Sequence, residues 1–292
     1  MMRFQGIVPA LVTPFTNTHQ VDEGALRSLI ENLIGHGVHG LFVLGTNGEF
    51  FTLSEREKLN IARITVEATA GRVPVIAGTG AFATHEVIEM NSRMVELGVD
   101  ALSVITPFFN AISQKELINH YTAIADASAL PIMMYNIPAK TGLSIGIGAV
   151  AALSQHPQIK GIKDSAGNFD NLVQMIQYRS DDFAVFAGTD SLIYWNLLAG
   201  GDGAVAATAN AVPSVVMDIW HRFQAGDHEG ARAAQEHLRP LRDAFAMGTM
   251  PVVLKKAADL LNVRVGPCRP PVSPLDEAAI NTLERLLAVY LP

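Results

Sequence analysis

The chemically suggestive residue of this sequence is an amine at the end of a hydrophobic strand. Lys163 closes the run Ile159-Lys160-Gly161-Ile162-Lys163, and side-chain alternation puts it on the same face as Gly161. A glycine there leaves room for a lysine pointing inward. Free lysine has a pKa of about 10.4 and is a poor nucleophile at neutral pH unless desolvation lowers that value. Two readings stand: an interior amine able to form an imine with a carbonyl substrate, or a strand-end lysine reaching solvent. Lys160, at the other end of the run, reads as surface. Tyr135 ends the preceding apolar run, Pro131-Ile132-Met133-Met134-Tyr135. Adjacent strands lie about 4.8 Å apart, so its phenol could stand beside Lys163. There it would move the protons needed to form and dehydrate a carbinolamine. A hydrogen-bonded core tyrosine is the alternative.

Other candidates carry less chemistry on their own. Gly45-Thr46-Asn47-Gly48 reads either as a plain turn or as a loop presenting backbone amides and a hydroxyl to a carboxylate. His36 and His39 have a metal-like spacing but fall between a helix and the next strand, which points to a structural role. No metal and no cofactor are expected. Gly78-Thr79-Gly80 follows a strand, yet Ala83 stands where a dinucleotide fold would have its third glycine. There is no Gly-x-Ser-x-Gly elbow and no phosphate-binding lysine loop.

These residues need a scaffold that brings strand ends together. Short apolar runs alternate with longer amphipathic ones, as in repeated βα units. Strands are predicted at 6–13, 40–45, 74–78, 101–106, 132–137, 161–164, 184–187 and 203–208, each followed by a helix. Eight such units predict a parallel (β/α)8 TIM barrel, whose functional groups gather at the C-terminal strand ends. Helix starts are marked by Ser54 with Glu57, by Thr84, and by Ser113 with Glu116. Further helices at about 227–246, 251–263 and 274–290 predict a C-terminal helical extension. The domain reading is a catalytic barrel over 1–225 and an extension over 226–292.

The whole composition points the same way. The chain has 292 residues, 49% hydrophobic and 17% charged, enough for a large core in one barrel. A net charge of −7 disfavours nucleic acid or an anionic membrane as partner. The one cysteine, Cys268, excludes an internal disulfide, and the start lacks a signal-peptide layout. No apolar run approaches the roughly 18 to 20 residues of a membrane span. A cytoplasmic enzyme acting on a small molecule is expected.

Taken together, the motifs resemble the dihydrodipicolinate synthase / N-acetylneuraminate lyase family of pyruvate-dependent class I aldolases, over almost the whole chain. Gly45-Thr46-Asn47-Gly48-Glu49 is similar to that family's carboxylate-binding loop, Tyr135-Asn136-Ile137-Pro138 to its catalytic-tyrosine segment, and Gly161-Ile162-Lys163-Asp164 to its Schiff-base strand. The resemblance implies that Lys163 makes the imine and Tyr135 handles protons. It implies that Thr46 and amides of the Asn47-Gly48 loop hold the pyruvyl carboxylate, that Val205 lines the pocket, and that the protein is a homotetramer.

Three positions depart from dihydrodipicolinate synthase proper. Phe109 stands where that enzyme usually has a relay tyrosine reaching a neighbouring subunit, Asn47 where it has a second threonine, and Lys140 where it has an arginine for the aldehyde's carboxylate. Phenylalanine offers no hydroxyl, and lysine cannot reproduce a planar bidentate fork. The expectation is therefore a Schiff-base lyase cleaving or forming the C–C bond of a 2-keto-3-deoxy sugar acid or similar 2-keto acid. The alternative is 4-hydroxy-tetrahydrodipicolinate synthesis from pyruvate and aspartate semialdehyde. A dehydratase of 2-keto-3-deoxy acids and a non-catalytic sugar-acid-binding barrel complete the range.

Overall fold

The computed structural model describes residues 4–291. Its strands are β1 Gly6–Pro9, β2 Leu41–Val43, β3 Val75–Gly78, β4 Ala101–Ile105, β5 Ile132–Asn136, β6 Ile159–Asp164, β7 Ala184–Ala187 and β8 Gly203–Ala206. They form one sheet in the order β1-β8-β7-β6-β5-β4-β3-β2. Neighbours from β3 to β8 pair in parallel. A parallel bridge between Ala10 and Phe42 links the residue after β1 to β2, the two strands at the ends of that order. The fold is the expected (β/α)8 barrel, with C-terminal helices following it.

The first strand is shorter than the predicted 6–13, and a side chain explains why. Beyond Pro9, Val12 N–H donates to Asn210 Oδ1 at 3.1 Å, while Asn210 Nδ2 donates to Ala10 O at 2.8 Å. This amide thus substitutes for ladder bonds where the chain leaves the sheet. The predicted caps at Ser54 and Ser113 form full capping boxes with Glu57 and Glu116. Thr84 does not cap its helix. Ala83 occupies the N-cap position, and Thr84 Oγ1 lies 2.9 Å from His120 Nδ1 instead. The single helix expected at 227–246 is two, His228–His237 and Arg239–Ala244. The break falls where Pro240, with no N–H to give, sits at the start of the second.

The described residues pack as two compact units. One consists of Pro74–Val205 with the residues up to Gly6, the other of Ile7–Val73 with Ala206 onward. In the first, Tyr121 is fully buried and its hydroxyl donates to Val104 O at 2.8 Å, satisfying the only polar atom of a large core side chain. In the second, the helices Glu23–Gly35 and Glu55–Thr69 are linked on their exposed sides by Arg27–Glu67, and Arg72 just beyond the second reaches Glu31 of the first. No helix among the described residues is long and apolar enough to cross a membrane.

Candidate active site

The strand register sets Lys163 directly opposite Tyr135 across β5 and β6, and opposite Phe186 on β7. Lys163 is only 3% exposed. It does not reach solvent, so of the two readings of this lysine the structure has the buried one. Its Nζ lies 3.9 Å from the centroid of the Tyr135 ring. Burial pushes the Lys163 ammonium below the ordinary lysine range. The electrostatic interaction and hydrogen bond with Tyr135, and the charge of Asp190, oppose that shift without reversing it. The result is an amine more easily deprotonated than a surface lysine, next to a phenol.

Room for this side chain comes from a different glycine than expected. A Cβ on Gly161 would meet Ala184 O at 2.8 Å, so Gly161 allows close approach of β6 to β7. The space beside Lys163 is left by Gly188, just past β7. A Cβ there would lie 3.0 Å from both Cε and Cγ of Lys163 and would overlap Ser165 Oγ. Ser165 Oγ is itself buried and without a hydrogen-bond partner. Gly188, Ser165 and Asp190 were not singled out by sequence reasoning. The available signal was positional: Gly188 lies two residues past Phe186, the register partner of Lys163, and so on the same face of its strand.

The next rung of the same two strands is structural. Asn136 pairs with Asp164, and its Nδ2 donates to Asp164 Oδ1 at 2.6 Å, while its Oδ1 accepts from Ile145 N–H at 3.0 Å. Burial raises the Asp164 carboxyl above the usual range, against the Asn136 amide and the Ala166 N–H, which favour the charged form. One amide therefore ties the strand end to the segment following the short helix Pro138–Thr141.

That short helix carries Lys140, whose side chain is exposed. Phe109 is fully exposed, with a left-handed backbone at φ 80°. Val205 on β8 is buried. All of these belong to the unit of Lys163. Thr46, Asn47 and Gly48 belong to the other unit, in the loop between β2 and the turn Phe50–Thr52. Thr46 and Asn47 are partly exposed, and Gly48 is buried. Gly48 N–H donates to Gly45 O at 3.1 Å, and its carbonyl accepts from Thr13 Oγ1 at 2.7 Å. Its backbone thus shapes the loop. Among the described residues no cluster of three or more His, Cys, Asp or Glu side chains could hold a metal ion. His39 Nδ1 accepts from Ile7 N–H at 3.1 Å, which is the structural role expected of it.

An amine nucleophile and a phenol on adjacent strand ends can carry out imine chemistry on a carbonyl compound. The model of the dihydrodipicolinate synthetase family matches residues 3–289. The 4-hydroxy-tetrahydrodipicolinate synthase of Methanospirillum hungatei is 38% identical over 289 residues, covering 98% of each chain. That of Macrococcus caseolyticus is 38% identical over 285 residues, covering 98% of this chain and 96% of the other. A dihydrodipicolinate synthase structure from Bacillus anthracis superimposes with a TM-score of 0.96 at 33% identity, over 100% of both chains. YagE, an Escherichia coli K12 prophage protein of the same family solved in complex with pyruvate, gives 0.94 at 35% identity over 99% of each. The chain belongs to the dihydrodipicolinate synthetase family.

Proposed function

We propose that the protein is a class I lyase that joins pyruvate to aspartate semialdehyde through an imine on Lys163, as a 4-hydroxy-tetrahydrodipicolinate synthase. The observation that carries the imine is the buried, deprotonation-prone Lys163 amine against Tyr135. The amine adds to C2 of pyruvate and water leaves, with Tyr135 moving the protons. The iminium then draws electrons from C3, which loses a proton to give an enamine. The enamine attacks the aldehyde carbon, whose oxygen takes up a proton, and the amino group of the semialdehyde then adds to the imine carbon and expels the Lys163 amine, which closes the ring and frees the lysine. No redox partner enters this sequence. Thr46 and Asn47 supply carboxylate recognition, Gly48 gives the loop its shape, and Val205 lines the pyruvate pocket. Lys140 serves the carboxylate of the aldehyde as a point charge. A catalytic barrel over 1–225 with an extension over 226–292, a homotetramer and a cytoplasmic location complete the proposal.

The choice of aldehyde rests on the relatives, which are named as 4-hydroxy-tetrahydrodipicolinate synthases at 35–38% identity. This favours the alternative of the sequence reading over the sugar acid placed first there. The second reading, cleavage of a 2-keto-3-deoxy sugar acid, keeps a specific support in Phe109, which brings no relay hydroxyl, and in Lys140, which lacks the guanidinium fork. The deciding measurement is kcat/KM for both reactions on one preparation, with Phe109→Tyr and Lys140→Arg alongside. Under the proposal, wild type turns over aspartate semialdehyde at the higher kcat/KM. A higher value for the sugar acid, with aspartate semialdehyde turnover raised by about 10-fold or more in the two variants, would establish the second reading instead.

A further inference from the structure

The second unit contains a buried ion pair that belongs to neither a surface network nor the imine chemistry. Lys255, on the helix Val252–Leu260, is 1% exposed in its side chain, and Glu49 is 0% exposed. Lys255 Nζ donates three hydrogen bonds: to Glu49 Oε1 at 2.9 Å, Thr13 O at 2.8 Å and Pro267 O at 2.7 Å. The other carboxylate oxygen, Glu49 Oε2, accepts from Arg269 N–H at 3.0 Å. Cys268, between these partners in sequence, is buried, and its thiol is pushed up to about 12, by burial first and by the neighbouring Glu49 charge. A buried pair gains little net stability over well-packed apolar residues, so its satisfaction to this degree calls for another reason.

The position of Glu49 supplies it. Glu49 directly follows Thr46-Asn47-Gly48 and holds a left-handed backbone at φ 54°, and Leu44 on the other side of the loop is left-handed at φ 60°. A non-glycine residue holds that conformation at a cost, and keeps it only where its surroundings impose it. Glu49 N–H closes the loop on Thr46 O at 3.1 Å, and Thr13, whose carbonyl Lys255 holds, donates through Oγ1 to Gly48 O. One ammonium from the C-terminal helices therefore holds both the segment under the loop and the residue that ends it.

We propose that Lys255 is a positioning residue for carboxylate recognition: through Glu49 and Thr13 it fixes the conformation in which Thr46 and Asn47 meet the carboxylate of the keto acid. This rests on the reading that the 46–48 loop takes that carboxylate. It predicts a loss confined to substrates bearing the carboxylate.

The test measures half-saturation for borohydride trapping of the imine with pyruvate and with hydroxyacetone, a ketone without a carboxylate. Lys255→Met alone strands a buried carboxylate, so the informative variants are Lys255→Met/Glu49→Leu, which removes both charges, and Glu49→Gln, which keeps the shape. Expected is a rise of about 10-fold or more in half-saturation for pyruvate in both variants, with the trapping rate at saturating pyruvate and the half-saturation for hydroxyacetone within about 3-fold of wild type. Unchanged pyruvate half-saturation in a folded variant overturns the proposal, as does an equal loss with both ketones. Thr46→Val separates the two layers. If it leaves pyruvate half-saturation unchanged, the carboxylate reading of the loop fails; if it raises it while the Lys255 and Glu49 variants do not, only the positioning role fails.

Discussion

At the residue scale, the important balance is at Lys163, where burial lowers the pKa and Tyr135 and Asp190 partly restore it. The sign of the pH effect follows. Between its folded pKa and the ordinary lysine value, the unfolded chain holds more protons than the folded one, so this group's contribution to stability rises with pH across that window. The rate of imine trapping by borohydride with pyruvate should rise with pH through a midpoint below the ordinary lysine value of about 10.4. In Tyr135→Phe, which removes both contributions of Tyr135, the midpoint should move lower still while the maximal rate falls by about 10²-fold or more. A midpoint that does not move would show that the phenol does not interact with the amine. Gly188→Ala tests the space around the same side chain. Its Cβ would press on Lys163 and Ser165, so trapping should slow by about 10-fold or more, through displaced geometry rather than lost chemistry. Adding Ser165→Ala should recover only part of the loss, because the contacts to Lys163 remain. Full wild-type trapping in Gly188→Ala would show that the lysine has slack. Lys163 and Tyr135 were legible in the sequence because strand ends and nucleophile type are local properties. Gly188 was not, because the clash it avoids is with a side chain from the neighbouring strand.

At the scale of elements, β5 and β6 are tied at their C-terminal ends by the Asn136–Asp164 contact and through it to Ile145. Asn136→Ala would leave a buried carboxylate and a backbone N–H without their partner, at a cost of about 2–4 kcal/mol in urea unfolding at neutral pH. The effect depends on pH in a defined direction. Asp164 already has a raised pKa, which loss of the amide donor raises further, so the folded variant takes up a proton more readily than its unfolded chain. The penalty should therefore shrink as pH is lowered and the carboxyl is neutralised. An equal penalty at pH 7 and pH 4.5 would assign the cost to Ile145 and the cavity alone. The strands themselves could be read from alternating apolar runs, and two of the three named helix caps from Ser and Glu at the right spacing. The third could not, since the Thr84 hydroxyl is hydrogen-bonded to His120, a partner 36 residues away. Sequence patterns report local competition well and tertiary competition poorly.

At the scale of the whole molecule, the C-terminal segment is anchored by Arg269. Its guanidinium pairs with Glu57 and also donates to the carbonyls of His19 and Thr52. The Arg269 guanidinium is the main reason the Glu57 carboxyl is held down to about 2. A depressed carboxyl contributes stability that is present above its unfolded pKa and is lost as pH falls toward the folded value. Ser54 keeps part of the depression in the variant and solvent screens the pair, so stability from denaturant unfolding should drop by about 1 kcal/mol more in wild type than in Arg269→Gln between pH 6 and pH 3. Parallel curves would mean that the pair adds nothing beyond the carbonyl contacts. The extension was visible in the sequence as helices, but its grip on residues 200 and more positions earlier was not, because no local pattern encodes such a contact. The same packing gives the protein an internal clock. With its only thiol 5% exposed and pushed up to about 12 by burial first, Cys268 is held as the unreactive thiol at neutral pH. A disulfide reagent will therefore modify the folded chain chiefly when this region opens, and the labelling rate, read without an engineered probe, times how often the C-terminal segment lets go.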